Sequence, residues 1–229
     1  MPPASVLALR FVAALAILAV GPYLLWDVGI RGGGPDAPFS LLEMSMLVSF
    51  VACAAVGAFA CWQPVGCPFR PMHARRVLAV YLPAAFGWVL FLIAYLAVAR
   101  SCEAPVPVQA GLQYLANGNP ARLGFWFVVL TVGVGAPLAE EIVFRGYLQG
   151  ALQQVMPAWP AIGIAAAAFG AVHGVPYALP IGLLGCLFGW LRARNGSLLP
   201  SMLAHAVHNS LIVLITRIWP GSIDLLYPQ

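Results

Sequence analysis

Seven stretches of the chain are predominantly apolar: residues 6–25, 41–61, 77–99, 123–139, 158–173, 177–191 and 200–218. About twenty apolar residues suffice for a helix to cross the hydrocarbon core. In lipid every backbone polar group must be satisfied within the spanning segment, which points to helices. The pattern therefore predicts an all-α, polytopic transmembrane helix bundle of about seven spans, up to eight if an extra re-entrant or interfacial helix is present. The punctuation supports these limits. Gly32-Gly33-Gly34-Pro35 marks a loop over residues 27–40, Pro64, Pro68 and Pro71 mark one over 63–76, and Met156-Pro157 ends the fourth segment. Asn195-Gly196 reads as a turn, and residues 100–122 form the longest polar connection. Within the fourth segment Gly133, Gly135 and Pro137 loosen the helix, and a restart at Pro137 would place Glu140 near a helix N-terminus. Glu43, near the start of the second segment, is expected at the membrane interface.

Composition sharpens the membrane reading. The 229 residues are 62% hydrophobic and 8% charged, far outside the soluble range. The net charge of +4 rests on arginines alone, scattered singly or in pairs, with no cluster suited to nucleic acid. Their bias reads as topology: Arg70, Arg75 and Arg76 assign the 63–76 loop, and with it the N-terminus, to the cytoplasm. Arg192 and Arg194 assign the turn after the sixth segment to the same side. The first segment lacks a small-residue cleavage site and is expected to be an uncleaved span. An arginine-only basic set with abundant Ala, Leu, Gly and Pro fits a bacterial source, hence an integral protein of the inner, cytoplasmic membrane. Cys53, Cys61, Cys67, Cys102 and Cys186 show no C-x-x-C spacing, so neither a disulfide framework nor a cysteine zinc site is expected. The organisation is read as one integral membrane domain over 1–229, with three spans and a long loop in 1–122 and the remaining helices in 123–229.

Against this background a few polar groups stand out. Glu140 and Glu141 are adjacent at the end of a long apolar run, and Arg145 follows one turn later. Ionisable groups inside a membrane are costly and default to a functional hypothesis. At i, i+4 with the acid first, Glu141 and Arg145 suit an ion pair, leaving Glu140 about 100° around the helix to face a cavity. Phe169 and His173 repeat the i, i+4 spacing on the fifth segment, as do His205 and Asn209 on the seventh. His208 points away from Asn209 and reads as structural. One carboxylate, two imidazoles and a carboxamide suffice for hydrolysis. Glu140 would act as general base on a water, and His173 would hold that water or shuttle its proton. His205 and Asn209 would donate hydrogen bonds to the developing oxyanion.

The ordered set, Glu-Glu-x-x-x-Arg, then an aromatic residue four before a histidine, then a histidine four before an asparagine, resembles the CAAX-protease and bacteriocin-processing (CPBP, Abi) family of intramembrane endopeptidases. The resemblance spans residues 123–211. It implies Glu140, His173, His205 and Asn209 as catalytic residues, with Glu141, Arg145 and Phe169 in support. No cofactor is favoured. A zinc held by Glu140, His173 and His205 with an open position would be chemically sound, although no H-E-x-x-H helix is present. The expected partners are the lipid bilayer and a peptide or protein substrate with an apolar or membrane-proximal segment, such as a membrane-anchored or secreted precursor. The same resemblance permits a non-catalytic bacteriocin-immunity or scaffold protein. A transporter with a carboxylate proton relay is disfavoured, since the chain shows no half-to-half symmetry of interrupted helices.

Overall fold

The computed structural model describes residues 1–29, 41–104 and 106–227. Most of the glycine-rich loop expected over 27–40 lies outside these. The described residues form an all-helical assembly: α1 (Ala4–Gly29), α2 (Leu41–Trp62), α3 (Ala74–Ser101), α4 (Ala110–Asn117), α5 (Leu123–Leu152), α6 (Ala158–Ala171), α7 (Val175–Asn195), α8 (Leu199–Ile218) and α9 (Gly221–Leu226). Five of them (α2, α3, α5, α7 and α8) are long and apolar enough to cross a membrane; α6 and residues 4–19 of α1 are shorter apolar helices. Two elements lie where only loop or tail was expected, α4 in the long polar connection and α9 near the C-terminus.

The outer faces carry apolar side chains. On α3, Leu82, Phe86, Leu90 and Val98 are exposed, and on α8 so are Leu214 and Ile218. In water such a surface would be an association liability; in a bilayer it is the lipid-facing side. Exposed tryptophans sit at helix ends in two groups that the chain direction places on opposite sides: Trp62 and Trp159 on one, Trp126 and Trp219 on the other. This is the placement expected of interfacial aromatic belts.

Of the kink and the restart that Pro137 permits, helix α5 does not take the restart. It runs unbroken, with two π-helical stretches at Thr131–Gly135 and Glu141–Leu148. A proline brings no N–H for the preceding turn, and its ring crowds the carbonyl four residues back. The first π turn absorbs this: Ala136 N–H bonds to Thr131 O, one residue further back than in an α-helix. The carbonyls that lose a helical donor are taken up by α8, where Asn209 Nδ2 donates to Val132 O at 2.9 Å and Ser210 Oγ to Gly133 O at 3.2 Å. The same device recurs in α7. Pro180 deprives Pro176 O of its helical donor, and the Tyr95 hydroxyl on α3 supplies one at 2.8 Å.

Glu43, near the start of α2, is fully buried within the protein, and Arg122 grips it with two hydrogen bonds of 2.9 and 2.8 Å. The Tyr114 hydroxyl, pushed up to about 12 by burial and then by Glu43, stays protonated and donates to the same carboxylate. This cluster ties α2 to α4 and to the start of α5.

Helices α6 and α7 form a tight antiparallel hairpin. Helix α6 has 14 residues and ends at Ala171, a rise of about 21 Å against a hydrocarbon core of about 30 Å. His173, just past its end, is therefore held short of a full crossing. This explains how it reaches the level of the fourth segment's acids. Close approach depends on Gly170: a Cβ there would lie 2.2 Å from Ala178 O. Gly170→Ala is expected to lower stability by about 1–3 kcal/mol through overpacking against backbone. Gly163→Ala on the same helix, with open space around it, should be neutral or mildly stabilising, since alanine loses less entropy in a helix. Thermal unfolding of the two variants in one detergent checks the contrast.

Candidate active site

The second π-helical stretch of α5 opens on Glu141 and includes Arg145, and both side chains are completely buried. Arg145 Nη1 lies 3.1 Å from Glu141 Oε1, the ion pair expected from the spacing. The guanidinium sits 4.3 Å above the Phe169 ring and donates through Nη2 to Gly185 O at 3.0 Å. A desolvated cation over an aromatic face is worth about 2 kcal/mol. Gly185 favours this close approach, because a Cβ would stand 3.1 Å from that same Nη2 and 3.1 Å from Ala166 Cα. One turn on, Gln149 Nε2 donates to Gly189 O at 3.0 Å in a repeat of the arrangement.

His205, on α8, joins the two acids. Its Nδ1 is 3.0 Å from Glu141 Oε1, and its Nε2 faces Glu140 Oε2 at 3.7 Å. An ionised carboxylate only accepts, so the Nδ1 position carries a hydrogen that it donates to Glu141. Phe188 stacks on the imidazole at 4.6 Å and 21°, which fixes the ring plane. Glu140 differs from its neighbour: its side chain is 21% exposed where that of Glu141 is 0%. The two carboxylates are thus set apart by environment, one enclosed and neutralised, the other open on one side.

Phe169 is the hub between segments. Its ring touches those of Phe144, His173 and His205 at 5.2, 4.8 and 5.7 Å, in addition to the Arg145 guanidinium. His173 is half-buried, and its Nδ1 donates to Phe169 O at 2.7 Å, which leaves Nε2 as an acceptor in the neutral ring. Asn209 shares the His205 face of α8, and one amide hydrogen is committed to Val132 O. His208 pairs with the Tyr81 hydroxyl at 3.0 Å and packs on Trp88, away from the acids.

Glu140, Glu141, Arg145, Phe169 and His205 therefore meet directly, His173 joins through Phe169, and Asn209 lies further along α8. Among the described residues no three of the His, Cys, Asp or Glu side chains converge as a metal-holding group. Sequence reasoning missed Phe188, which carries no positional signal, and Gln149. The matched spacing of Arg145 and Gln149 against Gly185 and Gly189 was the available sign of this contact.

The ion pair rests on charge more than on hydrogen bonds, since Glu141 Oε2 and Arg145 Nε have no hydrogen-bond partner. Removing one member leaves an uncompensated buried charge, whereas replacing both with apolar groups does not. Glu141→Gln is expected to cost about 3–5 kcal/mol, and the double variant Glu141→Leu/Arg145→Leu less than that. A double-mutant cycle of unfolding free energies checks the non-additivity.

Residues 122–211 match the family model described as Type II CAAX prenyl endopeptidase Rce1-like. No curated protein and no solved structure matches the chain. The matched stretch holds every polar group of the cluster, from Glu140 to Asn209. On this match residues 122–211 are similar to the Rce1-like CAAX endopeptidase family, and the likeness covers the stretch that builds the cluster.

Proposed function

We propose that the protein is an endopeptidase that hydrolyses a peptide bond in or beside the membrane with a water activated by Glu140. The observation that carries this reading is the pair formed by Glu140 and His205, 3.7 Å apart beside the enclosed Glu141–Arg145 ion pair. Two groups at that separation can share one water at about 2.8 Å from each.

The chemistry follows. Glu140 takes a proton from the water as its oxygen bonds to the scissile carbonyl carbon. The oxyanion that forms is stabilised by His205 Nε2–H, with the second amide hydrogen of Asn209 on the same helix face. The proton on Glu140 passes to the amide nitrogen, directly or by way of His173 Nε2, and the C–N bond breaks to give a carboxylic acid and an amine, between which the acid proton then moves to leave a carboxylate and an ammonium. Glu141 fixes the ring orientation of His205, and Phe188 holds its plane. No metal takes part in these steps, and zinc is not assigned.

The substrate we assign is a membrane-anchored or secreted precursor whose cleaved bond adjoins an apolar segment, in keeping with a site in the middle of a lipid-facing bundle. The family description names a prenyl endopeptidase, and a prenylated peptide is one case of such a lipid-tethered segment. The proposal includes a bacterial inner membrane, from the arginine-only basic set and the abundance of Ala, Leu, Gly and Pro, and a cytoplasmic N-terminus, from the arginine bias of the 63–76 loop.

Glu140→Gln is nearly isosteric and leaves the buried ion pair intact. It is expected to lower hydrolysis by about 10²–10⁴-fold while the unfolding temperature stays near that of the wild type. His173→Ala and His205→Ala should each slow cleavage as well. The measurement is accumulation of full-length membrane precursors co-expressed with each variant. Full activity in a folded Glu140→Gln protein would overturn the mechanism, and a cellular phenotype retained in all three variants would favour a scaffold role.

A further inference from the structure

Away from the acids, the end of the bundle that carries the arginine-rich loop holds a pocket of about 360 Å³, lined by Gly66, Cys67, Arg70, Gln153, Gln154 and Arg192 among others. Arg192 is only 5% exposed, yet no carboxylate pairs with it among the described residues. Its Nη2 donates to Gly66 O at 3.1 Å, its guanidinium meets the Cys67 thiol, and its Nε has no hydrogen-bond partner. Burial pushes the Cys67 thiol up against the opposing pull of Arg192, so the thiol stays protonated and supplies no counter-charge. A buried guanidinium without an anion is expensive. Arg70 adds a second positive charge, Gln153 and Gln154 add amide donors, and no acidic residue lines the pocket.

The walls are preformed. Leu198 N donates to Pro68 O at 3.1 Å, Arg70 N donates to Ser197 Oγ at 3.1 Å, and Ser197 Oγ donates to Arg70 O at 3.0 Å. Gly66 N donates to Gly146 O at 3.0 Å, so the 66–70 segment is clamped both to the α7–α8 turn and to α5. Rigid walls lower the ordering cost of binding. A phosphate offers oxygens that match guanidinium geometry, and basic pockets between transmembrane helices suit lipid headgroups.

We infer that this pocket binds a phosphate-bearing anion, supplied by an anionic phospholipid headgroup or by free phosphate, with Arg192 and Arg70 as its counter-charges. The site is separate from the proteolytic cluster and does not depend on that reading.

The test is thermal unfolding of the full chain in phosphatidylcholine nanodiscs, with phosphatidylglycerol titrated in one arm and inorganic phosphate in another. At least one arm raises the unfolding temperature. A shift with phosphatidylglycerol alone assigns the lipid headgroup, and a shift with inorganic phosphate alone assigns the free anion. Arg192→Gln alters a buried group and confounds folding with binding, so Arg70→Gln, at an exposed position, carries the comparison. It should weaken the apparent affinity about fivefold, whereas Arg75→Gln/Arg76→Gln, exposed charges outside the pocket, should leave it unchanged. The inference is overturned if neither arm shifts the transition, if Arg70→Gln leaves the shift intact, or if the Arg75/Arg76 variant weakens it equally.

Discussion

A charge placed in hydrocarbon has to be neutralised where it stands, and the interior of this bundle is arranged around one such neutralisation. Glu141 and Arg145 are completely buried 3.1 Å apart. The bare pair would not offset the cost of removing two ions from water. Phe169 beneath the guanidinium, Gly185 O beside it and His205 Nδ1 on the carboxylate supply the remaining interactions. These contacts come from α6, α7 and α8, so the helices that satisfy the pair are also those that define the site. The consequence falls on Glu140. With its neighbour's charge cancelled and one side of its own carboxylate open, it is the acid to which the proposed mechanism gives the base's role.

A second constraint, from proline, sets how the helices fit together. Pro137 and Pro180 each withdraw a donor from the preceding turn, and each time a neighbouring helix restores it: Asn209 and Ser210 for α5, Tyr95 for α7. In a soluble protein water could serve such carbonyls. In lipid a partner helix must, which turns a local defect into a specific interhelical contact. Asn209 consequently serves two ends, since the hydrogen bond that locks α8 to the first π turn also holds α8 at the height where His205 reaches both glutamates.

Much of this was legible in the chain. The apolar runs gave the helices, because hydrocarbon thickness sets their length, and the i, i+4 spacing of Glu141 and Arg145 gave the ion pair. Other features depend on residues far apart in sequence. The burial of Glu43 is fixed by Arg122 and Tyr114, which stand 79 and 71 positions away, and a local reading places an acid at a helix start near water. The π turns around Pro137 were illegible for a related reason: proline predicts a lost hydrogen bond, but whether the helix breaks or widens is decided by what the facing helix offers. The short length of α6, by contrast, could be read from Met156-Pro157 and Gly174. It resolves how His173 and the acids come to neighbouring depths.

The most direct measurement is an experimental structure of the Glu140→Gln protein with an uncleaved peptide bound. The account predicts the scissile carbonyl carbon about 3–3.5 Å from a water held by the side chain at position 140, with the carbonyl oxygen turned toward His205 Nε2. A scissile bond bound elsewhere, with the position-140 side chain and His205 out of reach of its carbonyl, would contradict it.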